Sequence, residues 1–246
     1  MDRAMWITWY NLTGNDDGFL GWMHETWMPK MLANPGVLWA AHYQVEKKLI
    51  PPRVIHTQDE SIGNGNDYIL IFGGESAHAF ARDSASYVKG TTDRLTAQQT
   101  AQDKQMLALR TGVRKAIMTE EARSYGVESG NRDGRRLPAP CIQLGSFNGP
   151  TPEIEEELLA WYADWRLATL AKIPGCLGMR KLVGTVGWNK HGVMYEFLSL
   201  DARNKGMAEV VRRCPAEVAW TEVCVPKLIH APGSPHIAQR IAALEK

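Results

Sequence analysis

The sequence predicts an α+β fold in which one β-α-β-β-α-β unit occurs twice, and three observations carry that prediction. The first is a repeat: the stretch from Trp22 to Pro35-Gly36 matches the stretch from Trp161 to Pro174-Gly175 at a constant offset of 139 residues. The same offset carries Leu20 to Leu159 and Glu25 to Asp164. The second is the order of strand-like and helix-like segments, which is the same on both sides of a polar linker. The third is that strand candidates are apolar at successive positions, as in Met5-Trp6-Ile7 and Ile69 to Phe72. Both faces of each sheet then need cover, and each copy is the natural cover for the other.

The first unit occupies residues 1–125. It opens with a strand candidate, Met5 to Tyr10, and a helix that Asn15 or Asp16 can cap. Pro29 is expected to kink that helix or shorten its last turn, and Pro35-Gly36 ends it. Val37 to Val45 reads as the second strand, Lys47 to Asn66 as a polar loop and Tyr68 to Phe72 as the third strand. Glu75 starts a second helical pattern, a Gln/Thr/Ala-rich helical segment runs from Thr91 to Arg110, and Val113 to Thr119 closes the unit. Residues 126–140 form the linker, in which the basic run Arg132 to Arg136 reads as solvated.

The second unit, residues 141–246, starts with the strand candidate Cys141 to Phe147, and Thr151-Pro152-Glu153 opens its helix. Cys176 to Val183 and Val193 to Leu198 follow as strands, then Asp201 and a second helix. Thr221 to Ile229 reads as the last strand and Pro235 to Leu244 as a short terminal helix. The β-α-β-β-α-β order is the ferredoxin-like plan, here fused in tandem.

Composition narrows the function classes. Apolar residues are 44% and charged residues 22%, with a net charge of +1, so nothing favours nucleic acid or an anionic membrane as partner. Cys141, Cys176, Cys214 and Cys224 form no C-x-x-C pair beside clustered histidines, so no metal site and no disulfide framework is expected. The N-terminal stretch lacks the basic start and apolar core of a signal peptide, and no apolar run approaches about 18 residues. A cytoplasmic location is expected.

The helix pattern Trp22-x-His24-x-x-x-x-Pro29 followed by Pro35-Gly36, with the repeated strand-helix order, resembles the dimeric α/β-barrel superfamily and, within it, the EthD-like proteins. The tail Leu228 to Pro235 is similar to that of such proteins. The resemblance implies two fused copies forming an intrachain barrel, with ligand between the helices and sheet of one half. One scaffold of this kind hosts isomerases, monooxygenases, cyclases and haem-binding proteins, so it implies no single reaction. The two copies differ where it matters: His24 aligns with Ala163 and Trp27 with Arg166, so a histidine-dependent site belongs to the first half.

Leu20, His24, Trp27 and Met31 are spaced for one helix face, which must meet the sheet. Burial disfavours the charged form of His24, leaving a neutral group able to exchange a proton near pH 7. The plainer alternative is a core histidine bonded to a backbone carbonyl or strand hydroxyl. Glu25 is expected to be exposed. On the second strand Leu38, Ala40, His42 and Gln44 alternate with Trp39, Ala41, Tyr43 and Val45. If the first set faces the helix, His42 meets His24; if the second, Tyr43 supplies a phenol. Trp6, Thr8 and Tyr10 oppose Ile7 and Trp9 on the first strand in the same way.

Trp6, Tyr10, Trp22, Trp27 and Trp39, with Met31, would make a wall suited to a flat aromatic ligand, although a Trp-rich core explains any one of them. In the second unit Arg166 should look inward and Glu196 breaks an apolar strand, so a buried Arg166–Glu196 pair is expected, with an anion site as the alternative. Lys181 and Arg180 lie on its strand. His230 ends the final strand beside a tail that can cross a pocket mouth. His56, His78, His191 and His236 carry no assigned role.

The function expected from these residues is a cofactor-independent lyase, isomerase or cyclase acting on a small hydrophobic, aromatic or polyketide-like compound. His24 is its general acid or base, and Tyr10, Tyr43 or His42 holds the oxyanion. The alternatives are a non-catalytic carrier of such a compound, or a haem-binding or monooxygenase relative. Expected partners are the small substrate and, for assembly, a second copy as homodimer.

Overall fold

Strands with two apolar faces need cover on both sides, and the computed structural model supplies it by closing the sheet around one face and laying helices on the other. It describes residues 1–14, 16–47, 52–80, 99–132 and 136–246. The long strands are β1 (Ala4–Leu12), β2 (Val37–Val45), β4 (Tyr68–Gly74) and β5 (Arg110–Tyr125), then β6 (Cys141–Asn148), β7 (Cys176–Val186), β8 (His191–Phe197) and β10 (His236–Glu245). The two-residue strands β3 (Ile55–His56) and β9 (Ile229–His230) pair with each other beside β6. Around the barrel the order is β2-β4-β1-β5-β7-β8-β6-β10, antiparallel throughout, and β10 returns to β2. Each half therefore places its long strands in the same spatial sequence: second, third, first, fourth.

The fourth strands span the seams. β5 pairs with β1 over Arg110–Thr119 and with β7 over Ile117–Tyr125. β10 pairs with β6 over His236–Gln239 and with β2 over Ala238–Glu245. Hydrogen-bonded ladders thus join the halves, in addition to the facing of their sheets.

The closing strand differs from the expected Thr221 to Ile229. That stretch is mostly helical, because Pro215 opens a helix that runs to Cys224. The expected terminal helix, Pro235 to Leu244, is instead largely β10. Ala, Gln and Arg rank among the better helix formers, but propensity is a small local preference, and here two ladders outweigh it.

On the outside of the barrel, α1 (Asp16–Trp22) continues through a π turn (Met23–Trp27) into α2 (Met28–Leu32). Further along, α3 (Ala101–Leu107) starts at a Thr100–Asp103 capping box. In the second half α4 (Pro152–Trp161), a π turn (Tyr162–Arg166) and α5 (Leu167–Ala171) repeat the first pattern at the 139-residue offset. α6 (Leu200–Arg213) and α7 (Pro215–Cys224) follow. The π turns bond Met28 N–H to Met23 O and Leu167 N–H to Tyr162 O, five residues back. Pro29 is not their cause, since Ala168 stands at the equivalent position. Asn15, the first part of the Thr91 to Arg110 segment and most of the helical pattern after Glu75 lie outside the described residues.

Among the described residues three apolar cores result. The barrel interior holds Met5, Ile7, Trp9, Trp39, Tyr43, Ile142, Leu144, Leu182 and Met194. One outer core lies between α1, α2 and the first-half strands, the other between the second-half helices and strands. The barrel also buries a charged network, and it corrects two expectations. Glu196 faces the interior, where Arg132 (2.8 Å) and Arg180 (3.4 Å) hold it and Ala139 N–H donates to it (3.1 Å). Arg166 lies on the outer face instead, donating to Tyr195 Oη at 3.1 Å, so alternation along β8 prevents an Arg166–Glu196 pair. Arg132 is accordingly an anchored residue rather than a solvated one; residues 133–135 lie outside the description. Arg180 also pairs with Asp2, which accepts from Arg123 and Trp39 Nε1 as well. Burial opposes ionisation of Asp2 and Glu196, but the guanidinium groups win and hold both below the usual carboxylate range.

Among the described residues no helix is long and apolar enough to cross a membrane.

Candidate functional site

Strand alternation puts Tyr10 of β1 and His42 of β2 on the outer face of the barrel, under the π turn that carries His24. Tyr10 Oη lies 2.6 Å from His42 Nε2, and His42 Nδ1 lies 2.9 Å from His24 Nε2. The three side chains form one hydrogen-bonded row from a buried phenol to a half-buried imidazole. Of the two strand faces left open by the sequence, the one bearing His42 looks at the helix.

The π turn sets how far His24 reaches in. Its wider winding makes Phe19, Trp22, Met23, Trp27, Met28, Met31 and Leu32 the buried face. His24 stands at the margin of that face, not in the middle of the expected Leu20-His24-Trp27-Met31 stripe. Glu25 is exposed, as its position on the helix implies.

All three groups are neutral at pH 7. Burial pushes His42 down to about 3, with neighbouring His24 acting in the same direction. Burial also lowers His24, partly offset by Glu25, and raises Tyr10 far above the usual phenol value. A proton count then fixes the direction of the row. The Tyr10 hydroxyl has its described acceptor in His42 Nε2, which leaves the His42 proton on Nδ1 to donate to His24 Nε2. His24 then carries its own proton on Nδ1. The opposite sense would leave the Tyr10 proton without a described acceptor. The resting site therefore presents an N–H donor at its half-open end.

The aromatic surroundings are specific. Trp22 and Trp27 stack at 5.6 Å, Tyr10 meets Phe19 edge-on at 5.7 Å and stacks on Tyr68 at 5.6 Å. Trp6 lies on the same face, half-buried, against Phe72 and Phe80. Met31 belongs to the same outer core. Two candidates are elsewhere. Tyr43 points into the barrel and donates to Ala139 O at 2.9 Å, and Trp39 lies in the barrel with its indole N–H on Asp2. Alternation along β2 separates both from His24, so neither is part of this row.

No family model matches the sequence, and no curated protein matches it significantly. Solved structures match it in fold. A protein from Fusobacterium nucleatum described as a "putative monooxygenase" aligns over 100% of this chain and 95% of its own, with TM-score 0.59 and 10% identity. An anthrone oxidase-like protein aligns over 100% and 94%, with TM-score 0.57 and 12% identity. A "putative chlorite dismutase" aligns over 98% and 95%, with TM-score 0.53 and 13% identity. This is the dimeric α/β-barrel fold.

In this dimeric α/β-barrel, sequence reasoning missed Phe19 as a neighbour of Tyr10 and Tyr68 as a neighbour of Tyr10 and His42. Tyr68 carried a usable signal: it begins the strand whose Leu70 and Phe72 share its face, and Leu70 pairs with His42. Phe19 carried none, because an ideal helix puts a different residue beside His24. Among the described residues of the barrel, no group of three His, Cys, Asp or Glu side chains is arranged to hold a metal ion.

Proposed function

We propose that the protein is an enzyme, working without a cofactor, that acts on a small hydrophobic compound of aromatic or polyketide-like character. The observation that carries this is the Tyr10–His42–His24 row. A neutral imidazole whose N–H is directed by a buried partner is suited to polarise a carbonyl or enolic oxygen, because its donor is oriented before substrate arrives. His24 is the group that meets substrate. His42 and Tyr10 hold its tautomer, and Trp22, Trp27, Trp6 and Met31 supply the apolar surface. Lyase, isomerase and cyclase reactions through an enolate all need that donor, with the carbon-bound proton passing to solvent water. The Trp22-x-His24 pattern is the ground for placing the chain beside EthD-like proteins, and the tandem ferredoxin-like reading rests on the matched strand order and π turns.

In one variant the same enolate of an electron-rich substrate reacts with oxygen; the neighbours' names are compatible with it and do not set it above the lyase, isomerase or cyclase reading. The test is turnover of a panel of enolisable aromatic ketones and anthrone-type phenols by wild-type, His24→Ala and Tyr10→Phe proteins. The expected result is a fall in kcat/KM of about 10²-fold for His24→Ala and a smaller one for Tyr10→Phe. Unchanged turnover in folded His24→Ala protein would sink the assignment. Tryptophan quenching by the panel with no turnover would favour a carrier instead.

A further inference from the structure

The second half has its own cluster of chemistry at the position corresponding to the first-half site. Lys181 occupies the place of His42 at the 139-residue offset, and strand register agrees: His42 pairs with Leu70, and Lys181 with Val193. Two residues earlier on each partner strand stand Tyr68 and His191. These pair in turn with Tyr10 and Phe147. Where the first half has a phenol–imidazole–imidazole row, the second therefore has an amine and an imidazole.

Lys181 is only 2% exposed, yet it lines a cavity of about 370 Å³ with Glu121, Glu155, Leu158, Leu159 and His191. Its Nζ lies 3.2 Å from His191 Nδ1 and 3.2 Å from Glu121 Oε2. His191 Nε2 in turn lies 3.3 Å from Glu155 Oε1, and Lys190 pairs with the same carboxylate. The amine also sits 5.4 Å from the centre of the Tyr162 ring. A nucleophile in reach of a base, with a third group orienting that base, is the arrangement that activates amines and hydroxyls alike.

We propose that Lys181, His191 and Glu155 form a second site, in which the Lys181 amine condenses with a small, uncharged, largely apolar aldehyde or ketone to give an imine. His191 takes the ammonium proton through Nδ1 while its Nε2–H stays on Glu155. The Lys181 nitrogen lone pair then forms the C–N bond, and the carbonyl π pair moves to oxygen. Two proton transfers through His191 convert that oxygen to water, which leaves as the C=N bond forms. The balance is amine plus carbonyl to imine plus water, with no oxidant or reductant. Burial supports it by lowering the pKa of Lys181 against the opposing pull of Glu121, and by lowering that of His191. Glu121, Glu155 and the nearby Glu156 disfavour anionic carbonyl compounds, and the leucines favour an alkyl chain.

The experiment is reductive trapping on the full-length protein with butanal and cyanoborohydride at pH 7, followed by peptide mass spectrometry. Lys181 is expected to be labelled at least about tenfold faster than exposed Lys205, and faster with butanal than with glyoxylate. His191→Gln and Glu155→Gln should each slow labelling at Lys181 and leave Lys205 unchanged, with circular dichroism checking the fold. Folded Lys181→Met should lose that one adduct. Lys181 unlabelled, or no faster than Lys205, would overturn the proposal. So would preference for glyoxylate, or a Lys181 rate that neither folded variant alters.

Discussion

His42 is a fully buried imidazole, and that alone gives the protein a pH signature. Its folded pKa of about 3 lies below the ordinary value of 6.5, so the unfolded chain takes up this proton first as pH falls. Its contribution to stability is complete above 6.5 and declines steadily as pH drops toward 3. At 1.36 kcal/mol per unit, moving from pH 7 to pH 5 should cost about 2 kcal/mol through this residue. Urea unfolding at the two pH values should show the wild-type difference shrinking by about that amount in His42→Gln. An unchanged difference would mean that the imidazole is protonated inside the fold. Residue chemistry was partly legible beforehand. A histidine on an apolar helix face and another on a strand were both visible, but alternation allowed two answers on β2, and only tertiary packing chose His42 over Tyr43. The half-exposure of His24 was not legible, because a π turn leaves no local sequence mark.

At the scale of elements, the β2–β4 pair shows how one small residue fits one large one. Gly73 lies opposite Trp39, and a Cβ there would run into the indole ring. The glycine is therefore the floor on which Trp39 lies, keeping its N–H on Asp2. Gly73→Ala should destabilise the protein by about 3 kcal/mol, and Trp39→Leu in the same chain should restore part of that loss. Denaturant midpoints of the two single variants and the double variant test this. Additive losses would show that the two side chains do not meet. Elements with strong local signals, such as the first helix with its Pro35-Gly36 stop and the strands beginning at Val37 and Cys176, were readable in sequence. The end of the chain was not. Thr221 to Ile229 has strand-like composition inside a helix and Pro235 to Leu244 has helix-like composition, and pairing partners far away in sequence decided both.

At the scale of the whole molecule, the need to cover two apolar sheet faces was legible, and from it the need for a partner sheet. Closure was a further step, because it depends on the length of β5 and on the register of β10 across two strands. Neither quantity is written in a hydrophobic pattern. The buried Asp2–Arg180–Glu196–Arg132 network belongs to this scale as well. It joins the N-terminus, the second half and the segment between the halves. The mid-strand charge of Glu196 was visible in the sequence, but its partners were not.

The position of β10 has a consequence for a chain still being made. The outer edge of β2 waits, with its N–H and C=O groups unpaired, for a strand that leaves the ribosome after β1 to β9. Until then the nascent protein displays a sticky border on which neighbouring copies can zip together. A version ending at Gly233 should accordingly elute as large, heterogeneous assemblies on size-exclusion chromatography. Adding a synthetic peptide covering residues 234–246 during refolding should return a monodisperse species; a truncated chain that is already monodisperse and folded would show that the border is blocked by other means.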